Sequence, residues 1–166
     1  DMQLIGEAYH IMRNGLNLTP REMSEEFDQW NQGELDSFLI EITRDILKYK
    51  DEKGYLLERI RDTAGQKGTG KWTAIAALDY GIPVTLIGES VFARCLSALQ
   101  AERIEASTIL EGPKELVYRG DKKQFLEHLR KALYASKIIS YAQGFMLLRE
   151  AAKVHKWNLN YGGIAL

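Results

Sequence analysis

Gly65-Gln66-Lys67-Gly68-Thr69-Gly70-Lys71-Trp72 is the stretch whose reading decides the fold. Glycines let the backbone approach an anion, exposed N–H groups can point at it, and the lysines supply charge. Residues 65–71 fit the first seven positions of the nucleotide P-loop, G-x-x-x-x-G-K, which would imply an α/β fold with a strand before the loop. Trp72 then stands where a Ser or Thr hydroxyl must reach magnesium, and no strand-like run precedes the loop. The loop reads as built for phosphate but not for a nucleoside triphosphate, and the fold is predicted to be all-α.

Helical periodicity continues on both sides of the loop. Thr19-Pro20-Arg21-Glu22 reads as a capping box with proline at the first helical position, starting a helix to about residue 31 with Met23 and Phe27 inward. A second helix is predicted over 34–49, with Leu35, Leu39, Ile42 and Ile46 on one stripe. Residues 50–54 form a polar turn, and a short helix is predicted over 56–61. After the loop, 72–80 reads as helix, stopped by Gly81 and Pro83. Pro83 is predicted to open a long helix reaching residue 110. Asp121 can cap the longest helix, about 122–156. From 132 to 148 nearly every side of it is apolar or small, so a central helix surrounded by others is expected, with Ile138, Ile139, Met146 and Leu147 all buried.

Composition narrows the function classes. The 166 residues can bury one core, and 45% apolar with 27% charged residues is ordinary for a soluble globular chain. A net charge of −1 leaves no electrostatic footprint for nucleic acid or an anionic membrane. The apolar run at 132–148 is too short and too polar to span a bilayer. The single cysteine, Cys95, cannot form an internal disulfide and reads as a small core residue. His10, His128 and His155 lack metal-ligand spacing. Glu34 and Asp36 suit the opening turns of a helix. Leu4, Ala8 and Ile11 repeat at helical spacing from the start with no N-cap before them, and no signal peptide is read there. The chain is expected to be part of a larger protein.

Arg94 is the least ordinary charge. The wet side of its helix carries Glu89, Ser97 and Gln100, whereas Arg94 sits at the margin of the Ile87–Val91–Ala98 stripe. A guanidinium near a core needs a carboxylate or a phosphate, and periodicity leaves both open.

Four stretches carry a family resemblance: Ala64-Gly65-Gln66-Lys67-Gly68-Thr69-Gly70-Lys71-Trp72-Thr73, Leu35-Asp36-Ser37-Phe38-Leu39-Ile40-Glu41-Ile42, Pro83-Val84-Thr85-Leu86-Ile87-Gly88-Glu89, and Ala132-Leu133-Tyr134-Ala135-Ser136-Lys137-Ile138-Ile139-Ser140-Tyr141-Ala142-Gln143-Gly144-Phe145. Together they resemble the decarboxylating 6-phosphogluconate dehydrogenases, over residues 1–166. The resemblance implies oxidation of 6-phosphogluconate with NADP and its decarboxylation to ribulose 5-phosphate and CO2 in the pentose phosphate pathway, without metal. It implies a cytoplasmic homodimer that engages neither nucleic acid nor membrane. It further implies that this is the first part of the family's C-terminal all-helical domain, with the dinucleotide-binding α/β domain absent. The family's substrate-phosphate ligands map onto Lys67, Thr69 and Arg94. Its catalytic lysine and glutamate fall in a stretch that would precede Asp1, so no catalytic or cofactor-binding residue is assigned here, and the segment is expected to be inert alone. Two other readings stay open: a helical oligomerisation module without chemistry, and a P-loop-like phosphate-binding protein.

Overall fold

In the computed structural model, residues 1–113 and 117–166 are described. Apart from one two-residue strand pair, the described elements are helical turns and helices. They fall into two compact units: residues 1–62 with 102–137, and residues 63–101 with 138–166.

The first unit is organised by its caps. The Thr19 hydroxyl accepts from the Glu22 N–H (3.3 Å), and the Glu22 carboxylate accepts from the Thr19 N–H (2.8 Å). This reciprocal box, with Pro20 behind it, starts α2 (Pro20–Trp30) where the sequence placed it. Before it, α1 (Met2–His10) runs into a wider π turn, Ile11–Gly15. Met12, Leu16, Met23, Phe27, Leu35, Ile40 and Leu47 are fully buried, and Phe27 meets Trp30 edge-on at 5.1 Å.

The next helix differs from expectation. α3 spans Phe38–Lys48, because Ser37, not a residue near 34, is its N-cap: Ser37 Oγ accepts from the Ile40 N–H (3.4 Å). Residues 31–35 form turns instead, and Asn31 Oδ1 accepts from the Ser37 N–H (3.1 Å). The start shifts, and the buried face shifts with it. Ile40 and Leu47 point inward while Ile46 is exposed. Glu34 and Asp36 therefore precede the helix, and Glu34 pairs with Arg130 (2.7 Å). The polar turn is a minimal antiparallel pair, β1 (Lys50–Asp51) with β2 (Gly54–Tyr55), and the short helix after it is one 3₁₀ turn, Leu57–Arg59.

In the second unit α4 covers Thr69–Tyr80, three residues longer at its start than expected. Gly81 ends it in the left-handed conformation (φ 67°), with the Ile82 N–H returning to the Ala77 carbonyl (2.8 Å). The helix predicted over 83–110 is two: α5 (Thr85–Ala98) and α6 (Gln100–Ile109), broken at Leu99 (φ −83°, ψ 50°). At the break the Ser97 carbonyl accepts from the Thr63 hydroxyl (3.1 Å), so the last turn of α5 is held by a side chain.

α7 (Lys122–His155) is the longest helix, and Asp121 Oδ1 caps it by accepting from the Lys123 and Gln124 N–H groups (2.9 and 3.2 Å). Leu126 and Leu133 join the first unit's core. Further along, within this chain by itself Ile138 and Ile139 are about half exposed, and Met146 and Leu147 are half-buried; the burial expectation concerns the full assembly. The helix is apolar on more sides than the described helices of this chain cover. Cys95 is likewise exposed rather than in a core. A final short helix, α8 (Tyr161–Ala165), is capped by Asn160.

Candidate functional site: the glycine loop and the helix that faces it

Gly68 (φ 113°) turns the loop into α4, in a conformation that L side chains rarely adopt. As N-cap it offers no side-chain acceptor to the helix. The first intrahelical bond here runs from the Trp72 N–H to the Gly68 carbonyl (2.9 Å). The N–H groups of Thr69, Gly70 and Lys71 thus have no acceptor within the helix. No acidic residue lies in the first turn. The positive end of the helix dipole therefore stands uncompensated between Lys67 and Lys71. Lys67, Thr69 and Lys71 are all exposed. This arrangement favours a small anion, above all one with several acceptor oxygens.

The fit between α4 and α5 brings the guanidinium to the loop. A Cβ at Gly70 would lie 2.7 Å from Val91 Cγ2, so only glycine lets α5 approach this closely. Arg94 follows Val91 by one turn and reaches the loop, donating from Nη1 to the Gly65 carbonyl (3.0 Å). One turn further, Ser97 Oγ accepts from the Ala64 N–H (3.0 Å). Arg94 and Ser97 together fasten the base of the loop to α5.

Of the three residues singled out by sequence, Arg94 contacts the loop that carries Lys67 and Thr69, although 29 positions separate it from Gly65. The reversal at Gly81 between α4 and α5 makes this possible. Ser97 was assigned to a wet face and is half-buried against the loop instead. No periodicity could reveal this, since a serine at a helix margin has the same pattern whether it meets water or a backbone N–H.

Periodicity likewise does not show what Gln143 does. It is the buried polar side chain of α7, and its amide serves the start of α5. The histidines are dispersed: His10 meets Asn14 (3.1 Å), His128 is exposed, and His155 bonds Tyr80 (2.7 Å) and stacks on Trp157. Among the described residues no group of three His, Cys, Asp or Glu is placed to hold a metal ion.

Comparison with known proteins adds the family. The model of the 6-phosphogluconate dehydrogenase C-terminal domain matches residues 1–166. The decarboxylating 6-phosphogluconate dehydrogenase of Drosophila melanogaster is 69% identical over 166 residues, all of this chain and 34% of that protein. The Homo sapiens enzyme is 68% identical over 167 residues, 35% of its length. Among solved structures, Plasmodium falciparum 6-phosphogluconate dehydrogenase superposes with a TM-score of 0.92 at 41% identity, covering 99% of this chain and 36% of that one. It was solved in its apo form, with its cofactor NADP+ and with its substrate 6-phosphogluconate. The chain spans about a third of the length of these relatives. An all-helical chain matched along its whole length by this domain, with its glycine loop and Arg94 held together, belongs to the 6-phosphogluconate dehydrogenase family.

Proposed function

We propose that the protein containing this segment is an NADP-dependent decarboxylating 6-phosphogluconate dehydrogenase, and that Lys67, Thr69 and Arg94 hold the substrate's phosphate. The reaction converts 6-phosphogluconate and NADP+ to ribulose 5-phosphate, CO2 and NADPH. The observation that carries the phosphate assignment is the Arg94–Gly65 bond, which holds a guanidinium on the same loop that leads into the helix N-terminus at Gly68. Three donor types then divide the work: lysine as a point charge, arginine as a planar fork, and threonine with loop N–H groups as neutral donors.

A nicotinamide cofactor supplies the hydride acceptor in such an oxidation. The strands among the described residues are the pair Lys50–Asp51 and Gly54–Tyr55, and none leads into the glycine loop. The segment's part is therefore to fix the end of the substrate remote from the chemistry, where binding energy also positions the reacting carbons.

The oligomerisation reading is compatible with this one. Phe92, Leu96, Ile138 and Ile139 are exposed in the second unit, and apolar side chains of this size suit burial against further helices of a homodimer. A cytoplasmic enzyme free of membrane and nucleic acid fits the family, and no helix among the described residues is long and apolar enough to cross a membrane.

The test is Arg94→Ala in the complete enzyme. A charge-assisted contact of about 1.5–3 kcal/mol corresponds to roughly a ten- to hundredfold rise in the KM for 6-phosphogluconate. The Kd for NADP should be unchanged. An unaltered substrate KM would leave Arg94 as a loop fastener only.

A further inference from the structure

α5 begins without a cap of its own. Its N-cap is Val84, whose side chain can accept no hydrogen bond, and Pro83 lies before it. The N–H groups of the second and third helical residues are normally satisfied by a Ser, Thr, Asp or Asn at the N-cap. Here Gln143, 57 and 56 residues away on α7, takes that place: its Oε1 accepts from the Leu86 N–H (3.1 Å) and the Ile87 N–H (3.3 Å). The other end of the same amide donates from Nε2 to Thr85 Oγ1 (3.1 Å). Gln143 is 8% exposed, so these bonds are made largely away from water, where leaving one of them unmet is costly.

We propose that Gln143 is a positioning residue for the anion site: by capping α5 from α7, it fixes where along its axis α5 sits and thereby where Arg94 meets the glycine loop. The inference rests on the phosphate reading of Arg94 given above. Three observations join into one path. The amide pins the first turn of α5. Val91 seats against Gly70, where the two helices leave no room for a Cβ. Arg94, about 12 Å along the axis from Leu86, then bonds Gly65. A helix of this length transmits an axial shift with little loss, so a first turn released from Gln143 moves the guanidinium relative to Lys67 and Thr69.

Glutamine meets all three bonds at once. A carboxylate could accept from both N–H groups but would lose the donor to Thr85. A leucine of similar size would lose all three bonds.

A double-mutant cycle in the complete dehydrogenase tests the proposal, using Gln143→Leu, Arg94→Ala and the pair, with 6-phosphogluconate as the varied substrate. Gln143→Leu should raise the substrate KM about tenfold with NADP binding unchanged, and should add less than about twofold when Arg94 is already alanine. Gln143→Glu, which keeps both acceptors for the helix N–H groups, should recover most of the loss. If Gln143→Leu raises KM by the same factor in both backgrounds, or leaves it unchanged in the native background, the positioning role is overturned while the phosphate reading stands. If Arg94→Ala alone leaves KM unchanged, the phosphate reading fails first and takes this inference with it. Should Gln143→Leu not fold, Thr85→Val, which removes one of the three bonds, is measured in the same cycle and must show the same dependence on Arg94 at smaller amplitude; equal effects in both backgrounds overturn the proposal.

Discussion

The two units are built differently. In the first, seven large side chains are fully buried, and the caps, ion pairs and core around α2 and α3 lie within the unit. In the second, Ala77, Val84, Ala151 and Ala152 are the buried apolar residues, while Trp72, Ile75, Leu78, Phe92, Leu96, Ile138 and Tyr141 are exposed. Its order rests instead on directed bonds: Gln143 to α5, Arg94 and Ser97 to the loop, and Tyr80 to His155. Hydrophobic burial is undirected and strong per residue, so the first unit can serve as scaffold. Hydrogen bonds are weaker in net energy and strict in geometry, which suits the placement of one guanidinium on a loop carbonyl.

The sharpest way to break this comparison is to cut a side chain in each unit. Phe27→Ala should cost about 3–5 kcal/mol in urea unfolding of the 166-residue chain, through lost burial and the cavity left behind. Leu78→Ala, at a site 83% exposed, should stay within about 0.5 kcal/mol in the same chain. Equal costs would mean that the two units do not differ as described. A much larger cost for Leu78→Ala in the complete enzyme would show that this face is covered there.

A second test acts on the fit between α4 and α5. Gly70→Val must displace Val91, whose branched side chain has few alternative rotamers in a helix. About 1–3 kcal/mol of stability should be lost to overpacking, and the KM for 6-phosphogluconate should rise with it, because Arg94 moves with α5. A loss of thermal stability with no change in KM would separate the packing from the site.

The smallest effect is electrostatic and belongs to the first unit. Arg130 first, then Lys131, hold the Glu127 carboxyl down to about 2 from its ordinary 4.5. A carboxyl lowered on folding stabilises the fold above its unfolded value and stops doing so as pH falls through the folded one. The contribution of Glu127 is therefore complete above about pH 5 and fades towards pH 2. Glu127→Gln should flatten the dependence of the urea midpoint on pH across that window, and salt should shrink the difference, because the pair is only half-buried and stays open to solvent ions. An unchanged pH profile would mean that the pair adds nothing measurable.

Much was legible in the sequence because it is local. The Thr19 capping box, the Gly81 stop and the Asp121 cap are each decided within four residues, and each stands where it was read. The family followed from four long stretches. Errors arose where a distant partner intervened. The helix expected from residue 34 starts after Ser37, because Asn31 and Ser37 tie the preceding turn. The helix expected from Pro83 starts at Thr85 under the amide of Gln143 and breaks beside a serine carbonyl held by Thr63. Periodicity marked 132–148 as apolar on all sides, yet which sides are covered depends on helices that periodicity does not place. The sequence by itself determined an all-helical chain with a glycine- and lysine-rich loop opening a helix, since caps, glycines and charges act over one or two turns. Only the tertiary structure decided that Arg94 bonds the Gly65 carbonyl and that Gln143 caps its helix, because both contacts join residues brought together by packing and not by spacing.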